Sequence, residues 1–147
     1  MSEPVLNVTG LSHAYGDEAV LNDVTLTVEA GHLTAVLGSS GVGKTTLLRA
    51  IAGFVTPDAG SISLRGERVV IDSREQVAAE ARRVGMVFQD HALFPFMTAA
   101  DNVAFGLDGW GASERTARVT ELLALVGLED RARALPGTLS GGQRQRI

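Results

Sequence analysis

The residues LTAVLGSSGVGKTTLLRAIAG, numbers 33–53, decide the fold of this chain. The nearly continuous apolar run at 33–37 predicts a central strand that is covered on both faces. From residue 44 the apolar side chains follow helical spacing, and Gly53 suits the left-handed position after a helix. A strand, a glycine-rich loop and a helix are therefore predicted in that order.

The loop between strand and helix fits the pattern G-x-x-x-x-G-K-[ST] at every fixed position, residues 38–45. Such glycines let backbone amides turn toward an anion, and the helix adds the positive end of its dipole. Lys44 is expected to reach the β- and γ-phosphates of ATP, and the Thr45 hydroxyl to contact Mg²⁺. The alternative is a glycine-rich turn without a ligand. The expected nucleotide-binding residues are Gly38, Ser39, Ser40, Gly41, Val42, Gly43, Lys44, Thr45 and Thr46.

A second anion site is predicted at residues 139–143, LSGGQ. A serine hydroxyl and two amides free of side chains at the start of a helix can hold a phosphate. The alternative is an ordinary loop in which Ser140 caps a helix. Since one triphosphate normally needs one such site, the presence of two suggests sharing between chains.

Strand patterns dominate the first part of the chain outside these motifs. Two antiparallel edge strands are predicted between residues 5 and 28, and a short strand at 61–64. Residues 65–83 are polar and predict a surface excursion with a helix over 74–83. Residues 84–88 predict another buried strand that ends at Gln89.

Helical signals follow in the second part. Thr98 and Asp101 form the pattern of a capping box, which predicts a helix start. Ser113 is expected to cap a longer helix whose apolar residues recur at helical spacing, and Gly127 is expected to end it.

Composition narrows the function classes. The chain has 147 residues, 45% of them hydrophobic, a net charge of −4 and no cysteine. Disulfides, thiolate metal sites and cysteine nucleophiles are therefore excluded, and a nucleic-acid partner is not expected. Lys44 is the one lysine among 13 basic residues.

Together, residues 38–45 and 139–143 resemble the ATP-binding subunit of ATP-binding cassette (ABC) transporters, of the importer type for ferric iron, polyamines or sulfate. The resemblance covers essentially the whole chain. It implies an α/β fold: a P-loop NTPase core with an antiparallel β edge subdomain and a helical subdomain, incomplete at the C-terminus. Residues 1–90 would form part of the nucleotide-binding core, and 91–147 the helical subdomain ending in the signature motif.

The resemblance also implies roles for individual residues. Tyr15 would stack on adenine, with a tyrosine at a strand edge as the alternative. Gln89 would approach Mg²⁺ and the attacking water and so act with Lys44 in catalysis; the alternative is a polar residue that ends a strand. Two copies would form a head-to-tail homodimer around ATP, in which the signature residues Ser140, Gly141, Gly142 and Gln143 of one copy face the γ-phosphate held by the other.

Further partners follow from the same resemblance. Residues 91–97, HALFPFM, would contact a transmembrane permease subunit, with a core cluster as the alternative. A periplasmic or extracellular solute-binding protein would act indirectly, and the subunit would lie peripherally on the cytoplasmic face of the cell membrane. Ferric iron is the expected solute, although specificity belongs to the other components.

Two family features are not found among these residues. No acidic strand follows the signature, and His13, His32 and His91 all precede it, so none matches the switch histidine. We therefore expect a truncated module with negligible ATP hydrolysis. The alternatives are a repair ABC ATPase, a translation-associated ABC ATPase and an inert fragment. A repair ATPase would need coiled-coil arms, for which no sustained heptads occur, and a translation-associated one would need a second cassette, for which 147 residues are too few.

Overall fold

The computed structural model describes residues 4–89 and 92–147. It divides between Met86 and Val87 into two compact units, the first unit and the second unit, which are taken in turn. None of the helices in the described ranges has the length and apolar character of a membrane-crossing segment.

The first unit contains a five-stranded sheet. Its strands are β1 Pro4–Tyr15, β2 Glu18–Glu29, β3 Ala59–Leu64, β4 Glu67–Ile71 and β5 Arg74–Glu75. They pair antiparallel in the order β2-β1-β3-β4-β5. The hairpin of β1 and β2 confirms the predicted antiparallel pair, but of the two only β2 lies at an edge of the sheet, because β1 pairs with β3 on its other side.

Helix α1, Lys44–Ala52, packs its apolar side into the core of the first unit, as predicted. Leu47 and Ile51 join a cluster that includes Leu11 and Ile62 of the sheet. The helix ends at Gly53, whose φ of 93° is the left-handed conformation that glycine adopts without strain.

The second unit is helical. Its helices are α2 Ala99–Ala104, α3 Ala112–Leu125 and α4 Gly141–Arg146, with short 3-10 turns at Glu129–Arg131 and Pro136–Thr138. Val119 and Leu123 of α3 form a core with Ala104 and Leu128, as the helical spacing predicts. The capping box of Thr98 and Asp101 is confirmed at the start of α2.

The two predicted central strands do not form ladders in the described structure. Residues 33–37 and 84–88 carry no strand assignment, and Leu33 is fully exposed. A strand needs a paired neighbour for its backbone groups and cover for its side chains. None of the five strands of the sheet pairs with residues 33–37 or 84–86, so the prediction of buried strands is wrong for this structure.

The stretch 65–83 is also more ordered than predicted. Strand β4 buries Val69 and Val70, so this stretch is not merely a surface excursion. The predicted helix over 74–83 is wrong, because β5 and a 3-10 turn at Ala79–Ala81 occupy that range. The predicted cap at Ser113 is wrong as well, since α3 begins after Gly111 without a side-chain cap.

Candidate nucleotide-binding site

The glycine-rich loop leads directly into α1, and Lys44 is the first residue of that helix. Its ammonium group donates hydrogen bonds to the carbonyl oxygens of Gly38 at 2.8 Å and Ser39 at 2.6 Å. The lysine side chain therefore folds back over the loop that precedes it. The start of α1 itself favours an anion, because backbone amides and the positive end of the helix dipole point there.

The loop geometry depends on Gly43, the residue before α1. Its φ of 96° lies in the left-handed region, and a Cβ added to it would overlap the carbonyl oxygen of Val20. Glycine is therefore required at this position for two reasons: the left-handed backbone conformation and the close approach of β2. Thr45 is exposed, whereas Thr46 is buried in the core side of the helix.

Tyr15 lies at the end of β1, also in the first unit, and is 50% exposed. The His13 ring packs edge-on against it, with ring centroids 4.7 Å apart and an interplanar angle of 87°. The backbone N–H of Ala14, between the two rings, donates to Oδ2 of Asp58 at 2.7 Å. A carboxylate distant in sequence thus fixes the backbone at the end of β1, next to the exposed ring of Tyr15.

The second unit contains the remaining predicted site residues. Gln89 lies exposed in a turn, and Asp90 and His91 are outside the described residues. Phe94 contacts Phe105, but Phe96 is 94% exposed, so the described part of 91–97 is not a core cluster.

Asn102, which sequence reasoning missed, organises the loop before α2. Its side-chain carbonyl accepts from the Phe94 N–H at 2.8 Å, and its amide donates to the carbonyl oxygens of Phe94, Met97 and Thr98 at 3.0 to 3.2 Å. No local sequence signal marks this residue, because its partners precede it by four to eight positions.

The signature segment begins α4 with a second capping box. Ser140 Oγ accepts from the Gln143 N–H at 3.2 Å, and Gln143 Oε1 accepts from the Ser140 N–H at 2.8 Å. Arg144 steadies the turn by donating to the Leu139 carbonyl oxygen at 2.5 Å. Ser140, Gly141 and Gly142 remain exposed, which leaves their polar groups accessible.

The pKa of one carboxyl group in the described residues is clearly shifted. Hydrogen bonds from the hydroxyl and the backbone N–H of Thr98 hold the pKa of Asp101 below its ordinary value, and the charge of Arg115 acts in the same direction. This shift belongs to the helix cap, and it indicates no proton-transfer role.

The glycine loop, its helix and the capped signature segment are the parts of a P-loop nucleotide-binding domain. The sequence profile of the ABC transporter family matches residues 21–147. The chain therefore belongs to the ABC transporter family.

Relatives and solved structures agree with this membership. The chain is 47% identical over 144 residues to an Fe(3+) ions import ATP-binding protein, FbpC 2, of Pectobacterium atrosepticum, covering 97% of this chain and 41% of the relative. It is 47% identical over 145 residues to a spermidine/putrescine import ATP-binding protein, PotA, of Haemophilus ducreyi, covering 97% and 38%. This chain thus spans about two fifths of the length of these relatives.

Among solved structures, the dimeric post-hydrolysis state of the ATP-binding cassette MJ0796, bound to ADP and Pi, superposes with a TM-score of 0.83 at 28% identity. The match covers 96% of this chain and 66% of that one. The expected α/β fold of the ABC ATPase class, with its antiparallel sheet and helical part, is therefore confirmed.

Proposed function

We propose that this protein is the ATP-binding subunit of an ABC importer, in which ATP binding and hydrolysis drive solute uptake. The observation that carries the proposal is the placement of Lys44. Its ammonium group lies on the carbonyl oxygens of the loop at the start of α1, within the glycine geometry that a phosphate cradle needs.

ATP binding would exchange the contacts of Lys44. Its hydrogen bonds to the carbonyl oxygens of Gly38 and Ser39 would be replaced by bonds to phosphate oxygens, which carry full negative charge. The amides at the start of α1 would bind the same phosphates. The exposed face of Tyr15 would support the adenine ring.

The described residues offer only part of the coordination that Mg²⁺ needs. Thr45 and Gln89 offer exposed oxygen atoms, the ligand type that Mg²⁺ prefers, but the described residues contain no cluster of three or more His, Asp or Glu side chains that could hold a metal. We therefore assign most of its coordination to phosphate oxygens and water. Mg²⁺ would neutralise phosphate charge, and Gln89 would orient the attacking water.

A second copy would complete the site head to tail. The hydroxyl oxygen of Ser140 accepts a bond from the Gln143 N–H, so its proton can donate to a phosphate oxygen. The exposed amides of Gly141 and Gly142 would add to this contact. The dimeric state of the MJ0796 structure, with ADP and Pi bound, supports such an arrangement.

We place the contact with a transmembrane permease on the segment after Gln89, which would hold the subunit peripherally on the cytoplasmic face of the cell membrane. Phe96 offers an almost fully exposed ring on this segment. A cavity of about 600 Å³ beside α2 and α3 has a mixed lining that includes Trp110, Arg115 and Glu129. The exposed ring of Phe96 suits a partner helix with apolar side chains.

A periplasmic or extracellular solute-binding protein would act only through the permease. Ferric iron as the solute stays a prediction, because relatives of equal identity are named for iron and for polyamines. Negligible hydrolysis by these 147 residues also stays a prediction, and a phosphate-release assay tests it.

The decisive experiment is calorimetric titration of the protein with ATP. Lys44→Ala should weaken binding about 10- to 150-fold, since hydrogen bonds to charged groups contribute about 1.5–3 kcal/mol. Arg49→Ala is the matched control, because Arg49 is an exposed cation in the last turn of the same helix. Equal affinity of Lys44→Ala and the unaltered protein would refute the assignment.

A further inference from the structure

His13 is the only ring that the described structure places against Tyr15. The two residues lie two positions apart on β1, and the imidazole meets the phenol edge-on at a centroid distance of 4.7 Å. The His13 side chain is 11% exposed, whereas Tyr15 is half exposed. One ring is therefore fixed inside the protein while the other presents a free face.

Asp58 makes several contacts with this end of β1. Its backbone N–H donates to the Ser12 carbonyl oxygen at 2.8 Å, and its Oδ2 accepts from the Ala14 N–H at 2.7 Å. The same Oδ2 lies 3.3 Å from Nδ1 of His13, within ion-pair distance. A single carboxylate thus holds both the backbone between the two rings and the edge of the imidazole.

The imidazole itself is poorly satisfied. Neither ring nitrogen of His13 makes a well-aligned hydrogen bond to any described residue, although both atoms are buried. A buried polar ring in this state costs stability relative to an apolar side chain of the same size. The nitrogen atoms therefore contribute little at this position, and the interaction that the ring does make is its edge-on contact with Tyr15.

We propose that His13 is a positioning residue for base recognition: its ring holds the Tyr15 ring in the orientation that stacks on a purine. The inference rests on the proposed role of Tyr15 as the adenine platform. An exposed tyrosine at a strand end can rotate about its side-chain bonds, and edge contact with a buried ring limits that rotation. His13 would then favour base stacking without touching the nucleotide.

The test compares ATP with inorganic tripolyphosphate, which has no base. Stacking of one base on an aromatic ring corresponds to about 5- to 150-fold in affinity, so Tyr15→Ala should lose that factor for ATP alone. His13→Ala should weaken ATP binding about 3- to 10-fold, a part of the stacking factor, and leave tripolyphosphate binding unchanged. A merely structural defect would lower the affinity for both ligands.

Two further variants sharpen the result. His13→Phe keeps an edge-on ring and should retain ATP affinity within about twofold, because the proposal needs the ring and not its nitrogen atoms. His32→Ala is the matched control, since His32 is exposed outside the sheet and should change neither affinity.

The outcomes separate the two proposals. If Tyr15→Ala leaves the ratio of ATP to tripolyphosphate affinity unchanged, the adenine platform and the role of His13 are both refuted. If Tyr15→Ala lowers that ratio but His13→Ala does not, the platform stands and the positioning role is refuted. If His13→Phe loses as much ATP affinity as His13→Ala, edge packing is not the cause and the inference fails.

Discussion

Arg82 offers the sharpest test of how the first unit is held together. Its side chain is 1% exposed and donates hydrogen bonds to the carbonyl oxygens of Ala50 at 2.8 Å and Ile51 at 3.1 Å in the last turn of α1. It also donates to the Val77 carbonyl oxygen at 2.9 Å and to Glu75 Oε1 at 3.0 Å. A cation at this end of a helix is favoured by the helix dipole.

Arg82→Met should therefore be severely destabilising. The change removes the donor from three backbone carbonyls, of which Ala50 keeps only a longer bond from Gly53 at 3.3 Å. Each buried polar group left unsatisfied costs about 1–3 kcal/mol, and three carbonyl oxygens lose this donor. We expect a loss of about 3–5 kcal/mol, a large part of the 5–15 kcal/mol that stabilises a typical domain.

Glu75→Gln is the matched control. The Glu75 side chain is 40% exposed, so loss of its charge should cost no more than about 1 kcal/mol. The loss of stability in Arg82→Lys should lie between the losses in Arg82→Met and Glu75→Gln, because an ammonium group keeps the charge but cannot donate in the same fork geometry.

Hydrogen exchange provides the assay. Protection of α1 amides should fall about 150- to 5000-fold in Arg82→Met, whereas α3, in the second unit, should keep its protection. The reasoning is refuted if Arg82→Met stays within about 1 kcal/mol of the unaltered protein in denaturant unfolding, or if Glu75→Gln costs as much.

Three other sites yield predictions. Gly43→Ala would place a Cβ on the carbonyl oxygen of Val20, so the melting temperature and ATP affinity should fall together; normal values for both in calorimetry would contradict the geometry. Thr98→Ala should destabilise the second unit by about 1 kcal/mol in urea unfolding followed by tryptophan fluorescence. Thr98 lowers the pKa of Asp101, so the stabilisation contributed by the ionised Asp101 is complete above the ordinary carboxyl pKa and is lost as pH falls through the lower folded value. Thr98→Ala should weaken this dependence of stability on acid pH, and an unchanged pH profile of unfolding would argue against it. Asn102→Ala should speed limited proteolysis of the loop before α2, and an unchanged cleavage rate would show that the side chain does not hold that loop.

The features predicted correctly from sequence are those fixed by neighbouring residues. Helix α1 and its end at Gly53 follow from spacing and a glycine, and the capping box at Thr98 from two residues three positions apart. The partners in such interactions lie within one or two helical turns of each other. A short window of sequence therefore contains both partners.

The wrong predictions share one cause: residues distant in the sequence decide whether a segment pairs or is buried. The run 33–37 has the apolar pattern of a central strand, but pattern alone does not provide the neighbour on which a ladder depends. Strand β4 and the burial of Arg82 were missed because neighbours across the sheet and the end of α1 decide them. A polar run with arginines is typical of a surface, and only the fold identifies the one arginine that is enclosed.

The same distinction between local and distant partners applies to two parts of nucleotide recognition. The proposed phosphate contacts depend on local features: a left-handed glycine before Lys44, and a capping box within three residues of Ser140. The proposed base contact depends on Asp58, which lies 44 residues from Ala14, its hydrogen-bond partner beside Tyr15. On this proposal a short motif identifies the phosphate contacts, whereas the base contact requires the folded sheet. It follows that variants that loosen the end of β1 should lower base selectivity before they lower phosphate affinity.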